Sequence, residues 1–184
     1  ITLSAGNLYV NRGTTLIEND ITVSGQSEPR LHSGVCYDNG QFGAQSRGRP
    51  PSDIGEIRFT GTISAGASVT TVRVGGWIKM TFEGPVNLPT AVTLARSDAT
   101  GVGTGGGNLN WSNGQVHFKG PVTAKAVRSD NYSQSKFYFY SSENAGWTSL
   151  KTVYGDNYLM GDGVLPETTV ISWHNLYLEN NDGT

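Results

Sequence analysis

Val69-Thr-Thr-Val-Arg-Val74, then Gly75-Gly76, then Trp77-Ile-Lys-Met-Thr-Phe82 is the stretch on which the reading of the fold turns. Both runs are rich in β-branched and aromatic residues, which fit a pleated, half-buried surface. Ile78, Met80 and Phe82 alternate with Trp77, Lys79 and Thr81, as a strand with one face in a core requires. Two glycines tolerate the positive φ of a tight turn, so the stretch predicts a β-hairpin.

The same grammar repeats outward from this hairpin. Asn113-Gly114 marks a second hairpin between Leu109-Asn110-Trp111 and Val116-His117-Phe118. Further strands are expected over 2–10, 14–23, 56–63, 91–95, 122–127, 136–140, 148–154 and 168–178. About ten strands at regular spacing, with little helix, predict a single antiparallel β-sandwich or jelly roll spanning residues 1–184. We read no internal repeat and no domain boundary in the chain. Gln41–Asp53 and the glycine-rich Thr100–Gly107 are expected as loops, and residues 180–184 as a linker to a following domain.

Composition agrees with a β protein. Charged residues are 15% of the chain, against ~25% in an ordinary soluble domain, so Ser, Thr, Asn and Gly must supply the surface polarity. The net charge of -2, with no basic cluster, argues against nucleic acid. No apolar run reaches the ~18 residues of a membrane span, which argues against insertion. The one cysteine, Cys36, has no intramolecular disulfide partner and is expected as an apolar filler.

Catalytic patterns are weak. Gly43-Ala-Gln-Ser46-Arg-Gly48 has one residue too many before the serine for a nucleophile elbow. His32, His117 and His174 are far apart, with no Cys or Glu at metal-ligand spacing. The fifteen acids could pair as in a glycosidase, but nothing in their order favours it. We therefore expect no enzyme and no cofactor. Asp156 and Asp162 are thin evidence for calcium.

Aromatic and amide residues crowd instead between Asp130 and Tyr158. In Lys136-Phe-Tyr-Phe-Tyr140, core-facing Phe137 and Phe139 would leave Tyr138 and Tyr140 outward beside Lys136. Around this strand lie Asp130, Asn131, Tyr132 and Gln134, then Asn144 and Trp147, then Tyr154, Asp156, Asn157 and Tyr158. Aromatic faces stack on pyranose C–H groups while amides and carboxylates bond the hydroxyls. These ten residues are the expected glycan-binding site.

Val170-Ile-Ser-Trp173-His-Asn175-Leu-Tyr177-Leu-Glu-Asn180-Asn181-Asp182 resembles the final strand and linker of N-terminal lectin domains in fimbrial tip adhesins. Asn7-Leu-Tyr9-Val10-Asn11 looks like a first strand of that family. The resemblance implies a secreted β-sandwich adhesin at a pilus tip, followed by a pilin domain and binding a host-surface glycan or glycoprotein. Many such lectin domains carry a disulfide, which Cys36 cannot form here. The rival resemblance is to receptor-binding heads of phage tail fibres and virus fibres, which fold without disulfides and are commonly homotrimers. A structural capsid or pilus subunit without ligand is the third expectation.

Overall fold

A computed structural model describes residues 1–4, 7–10, 14–33, 56–76, 79–96, 115–129, 136–152, 156–172 and 175–179. The chain winds through successive coils, each visiting up to three sheets, A, B and C, in turn. The first coil holds β1 (Thr2–Leu3), β2 (Asn7–Val10) and β3 (Thr15–Ile17). The second holds β4 (Ile21–Val23), β5 (Arg30–Ser33) and β6 (Glu56–Phe59), and the third β7 (Ile63–Ala65), β8 (Thr71–Gly76) and β9 (Lys79–Phe82). The fourth holds β10 (Val86–Asn87), β11 (Thr93–Arg96) and β12 (Gln115–Phe118), and the fifth β13 (Val122–Thr123), β14 (Ala126–Ser129) and β15 (Lys136–Phe139). Next come β16 (Ser149–Thr152) and β17 (Asn157–Met160), then β18 (Val170–Ser172) and β19 (Leu176–Glu179).

Sheet A has five strands, in the order β1-β4-β7-β10-β13. Sheets B and C have seven each, β18-β16-β14-β11-β8-β5-β2 and β19-β17-β15-β12-β9-β6-β3. Every strand pairs in parallel with its counterpart in the next coil: Thr81, for example, lies between Arg58 and His117. This is a parallel β-solenoid, which overturns the expected antiparallel sandwich. Among the described residues, the expected hairpin of Val69–Val74 with Trp77–Phe82 is not formed. Thr71–Gly76 lies in sheet B between β5 and β11, and Lys79–Phe82 in sheet C between β6 and β12. Gln115–Phe118 likewise pairs in parallel with β9 and β15, although Asn113-Gly114 itself lies outside the described residues. The sandwich implied by the adhesin resemblance is not found. Asn7–Val10 and Val170–Ser172 are the first and last strands of sheet B.

The interior is built from every second residue. Ile21, Val23, Ile63, Val86 and Val122 come from sheet A, and Leu31, Val72, Val74, Leu94, Val127 and Leu150 from sheet B. Sheet C adds Ile57, Met80, Val116 and Phe137, and a column of Phe59, Phe82, Phe118 and Phe139. Rings in this column stack at 4.7, 5.2 and 5.2 Å with interplanar angles of 7°, 11° and 10°. That spacing matches the ~4.8 Å strand separation of any sheet, so like side chains in like positions pack face to face.

The column also exposes a repeat. Phe59-Thr-Gly61-Thr-Ile63, Phe82-Glu-Gly84-Pro-Val86 and Phe118-Lys-Gly120-Pro-Val122 share one pattern, each turning the C-to-A corner. A Cβ on Gly84 would fall 2.4 Å from the Gly61 carbonyl oxygen, and one on Gly120 2.6 Å from that of Gly84. Only glycine lets these turns nest so closely. The turns are tied coil to coil by Glu83 N–H to Phe59 O at 2.8 Å and Lys119 N–H to Phe82 O at 2.8 Å.

Candidate functional site

Because coils stack in register, an outward residue in sheet C sits over the matching residue of the next coil. One such row reads Leu16, Arg58, Thr81, His117, Tyr138, Tyr158, Tyr177. Its last four members form an aromatic ladder. His117 stacks on Tyr138 at 4.3 Å and 2°, Tyr138 on Tyr158 at 4.5 Å, and Tyr158 on Tyr177 at 5.0 Å.

This geometry changes what the aromatics offer. Each ring spends its faces on its neighbours, so the ladder presents edges and hydroxyl tips. Only the terminal ring, Tyr177, is 40% exposed; Tyr158 is buried to 9%. Ring edges carry the positive end of the quadrupole and phenols add O–H donors.

A row on each side flanks the ladder. On one side stand Gln115, Lys136, Asp156 and Asn175; on the other, Lys119, Tyr140, Met160 and Glu179. Gln115 Oε1 only accepts, so His117 Nε2 donates to it at 3.1 Å, and Nδ1 accepts from the Tyr140 hydroxyl at 2.9 Å. Asn175 Nδ2 donates to Asp156 Oδ1 at 3.4 Å and to the Tyr177 hydroxyl at 3.1 Å. Toward the N-terminal coils the charges are matched: Lys79 pairs with Glu56 at 3.2 Å, and Arg58 Nε donates to Glu83 at 2.9 Å. Lys119 instead lies over the Tyr140 ring at 3.3 Å and Lys136 over the Tyr158 ring at 5.6 Å. Neither makes an ion pair among the described residues.

Burial, reinforced by Lys79 and Lys119 and opposed by Glu56, holds His117 down to about 4. Burial, with Tyr158 and Glu179 nearby, pushes Tyr138 up to about 12, so its phenol stays protonated and donating near neutrality. The His117 shift sets a pH dependence. The unfolded histidine takes up a proton below about 6.5 while the folded one resists until about 4. Stability from this group is therefore present above 6.5 and lost as pH falls toward 4. The shift is equivalent to at most about 3 kcal/mol, and solvent at the ring's rim reduces it to about 1–2 kcal/mol. Urea unfolding at pH 7 and 4.5 checks this: the drop should shrink by that amount in His117→Phe, which keeps the stack. An unchanged drop would assign the acid sensitivity to carboxylates such as Glu56.

The ten residues expected from the sequence are divided by the structure. Asp130, Asn131, Tyr132, Gln134 and Tyr154 lie outside the described residues. Trp147 is fully buried, packs 5.1 Å from Phe139 and donates its indole N–H to Val122 O at 3.0 Å. Asn144 is a buried staple: its oxygen accepts from Val122 N–H at 2.9 Å and its amide donates to Ser141 O and Val164 O at 2.8 and 2.9 Å. Asn157 points inward and accepts from the fully buried Arg96, which also donates to Asp156 O at 2.8 Å and lies over Phe137. These three are corrected from ligand contacts to core. Asp156 and Tyr158 do belong to the outward face. Phe137 and Phe139 are buried, leaving Tyr138 and Tyr140 outward beside Lys136. His117, Gln115, Lys119, Asn175 and Tyr177 join the face unforeseen; the signal that finds them is the coil repeat. No group of three His, Cys, Asp or Glu among the described residues could hold a metal.

The chain is thus, by architecture, a parallel β-solenoid carrying an edge-on aromatic ladder on one sheet. Comparison with protein-family models, with curated proteins and with solved structures finds no match.

Proposed function

We propose that this chain is a non-enzymatic attachment module, borne on a bacterial or viral surface, that binds a host glycan along the outer face of sheet C. The observation that carries the reading is the His117–Tyr138–Tyr158–Tyr177 ladder. It forms a straight row of ring edges and phenol tips at the ~4.8 Å spacing of the coils, flanked by amides and charges. Over Tyr138 and Tyr158, two hydroxyls without a hydrogen-bond partner among the described residues face outward, a pattern suited to sugar hydroxyls lying across several coils. Such contacts are solvent-exposed and few, so a single site is expected at micromolar to millimolar Kd, or about 4–8 kcal/mol. Multiple copies on one particle would supply avidity.

The test is the double variant Tyr138→Phe/Tyr158→Phe on a glycan array. It retains both rings, so its melting temperature should match the parent, while binding to whichever glycan the parent captures should fall about tenfold, the cost of one to two hydrogen bonds. Undiminished binding would move the site off this face.

A further inference from the structure

Resting on that reading, we infer that the ligand is an acidic polysaccharide whose anionic group sits between Lys119 and Lys136, beside Tyr138. Three independent features of the face favour negative charge there. The first is the balance of ions. Lys79 and Arg58 are matched by Glu56 and Glu83, whereas Lys119 rests on the Tyr140 ring and Lys136 lies 5.6 Å from the centre of the Tyr158 ring. A cation near a ring keeps most of its charge, and neither lysine makes an ion pair among the described residues. Each can therefore pair with an incoming anion, even with Glu56 and Glu83 acting on Lys119 and Asp156 one coil from Lys136.

The second feature is the ladder's orientation. Stacking at 4.3 to 5.0 Å turns the electropositive ring edges outward; a platform of exposed faces would repel an anion, and a comb of edges does not. The third is the donor set. The Tyr138 and Tyr158 phenols, which have no hydrogen-bond partner among the described residues, would donate to carboxylate or sulfate oxygens.

The face is also polarised along the solenoid axis. Asp156 follows Lys136 in its row one coil on, and Glu179 lies in the last coil beside Tyr177. They would repel an anion and accept from sugar hydroxyls instead. A chain that places an acidic residue over the fifth coil and neutral hydroxyls over the seventh satisfies both ends. The partner is therefore a polymer, not a lone anion.

The experiment uses the 184-residue chain on three immobilised polysaccharides: hyaluronan, which is carboxylated, dextran sulfate, which is sulfated, and neutral dextran. We expect one or both acidic polymers to bind and dextran not to, with binding weakening as salt rises. Lys119→Gln/Lys136→Gln should lose at least tenfold, Lys119→Arg/Lys136→Arg should retain most of it, and Lys125→Gln, at an exposed corner elsewhere, should change little. Lys125→Gln losing as much as the double variant would mean diffuse charge attraction and overturn the site. Equal binding to dextran, or binding untouched by the lysine variants yet lost in Tyr138→Phe/Tyr158→Phe, would overturn the acidic ligand while leaving the glycan face standing. Binding to anionic lipid vesicles but to none of the three polymers would overturn both.

Discussion

Trp147→Ala should cost about 3–5 kcal/mol of folding stability, a large part of the ~5–15 kcal/mol that an ordinary fold possesses. The indole is fully buried against Phe139, so truncation leaves a void that a stack of sheets cannot easily close. It also removes the indole N–H bond to Val122 O at 3.0 Å, leaving that carbonyl the Ala145 N–H at 3.0 Å as a donor. In a solenoid each coil leans on its immediate neighbours. The loss should therefore concentrate in β15 to β19, read as amide protection falling there by more than in β4 to β9. Ligand binding should fall only in proportion to the unfolded fraction. A well-folded Trp147→Ala protein that no longer binds glycan would instead put this side chain in the site.

Strand content was legible in the sequence; strand partnership was not. The alternation of Ile78, Met80 and Phe82 with Trp77, Lys79 and Thr81 signals one buried face, and a solenoid strand has one buried face just as a sandwich strand does. Periodicity therefore cannot tell parallel from antiparallel pairing, and Gly75-Gly76 supplied a plausible hairpin turn where both glycines in fact end a sheet B strand, in register with His32 and Ser33. What could have decided the matter is Phe59-Thr-Gly61-Thr-Ile63 aligned with its two later copies. The spacing of the copies is uneven because residues 97–114, between a sheet B strand and the following sheet C strand, fall between the second and the third, which hides a constant period.

The site was half legible for a related reason. Lys136 to Tyr140 declared its inward and outward residues by alternation alone. Which outward residues stand together depends on coil register: Tyr138 meets His117, Tyr158 and Tyr177, residues remote in sequence. Local density misled at Trp147 and Asn144, because a solenoid corner needs a large apolar plug and an amide staple as much as a binding site needs aromatics and amides.

Phe118→Ala should be comparably severe, about 3–5 kcal/mol, for a different reason. Phe118 is the middle of the column, stacked at 5.2 Å on Phe82 and on Phe139 and edge-on to Phe137 at 5.3 Å. Removing it deletes two stacked contacts, each worth about 0.5–1.5 kcal/mol beyond area burial, and cuts the column in two. Coupling between the coils on either side should fall with it. Urea unfolding followed by tryptophan fluorescence and by circular dichroism should then give two non-coincident transitions where the parent gives one. The exposed Tyr177, at the open end of the outer ladder, provides the contrast: Tyr177→Ala should cost less than about 1 kcal/mol. If Phe118→Ala were as mild as Tyr177→Ala, the interior column would not be what holds the coils in register. If it is severe, the loss reaches function as well. β12 and β15 carry His117, Tyr138 and Lys136, with Lys119 at the turn that follows β12, so the column that stacks the phenylalanines inside also sets the spacing of the ladder outside.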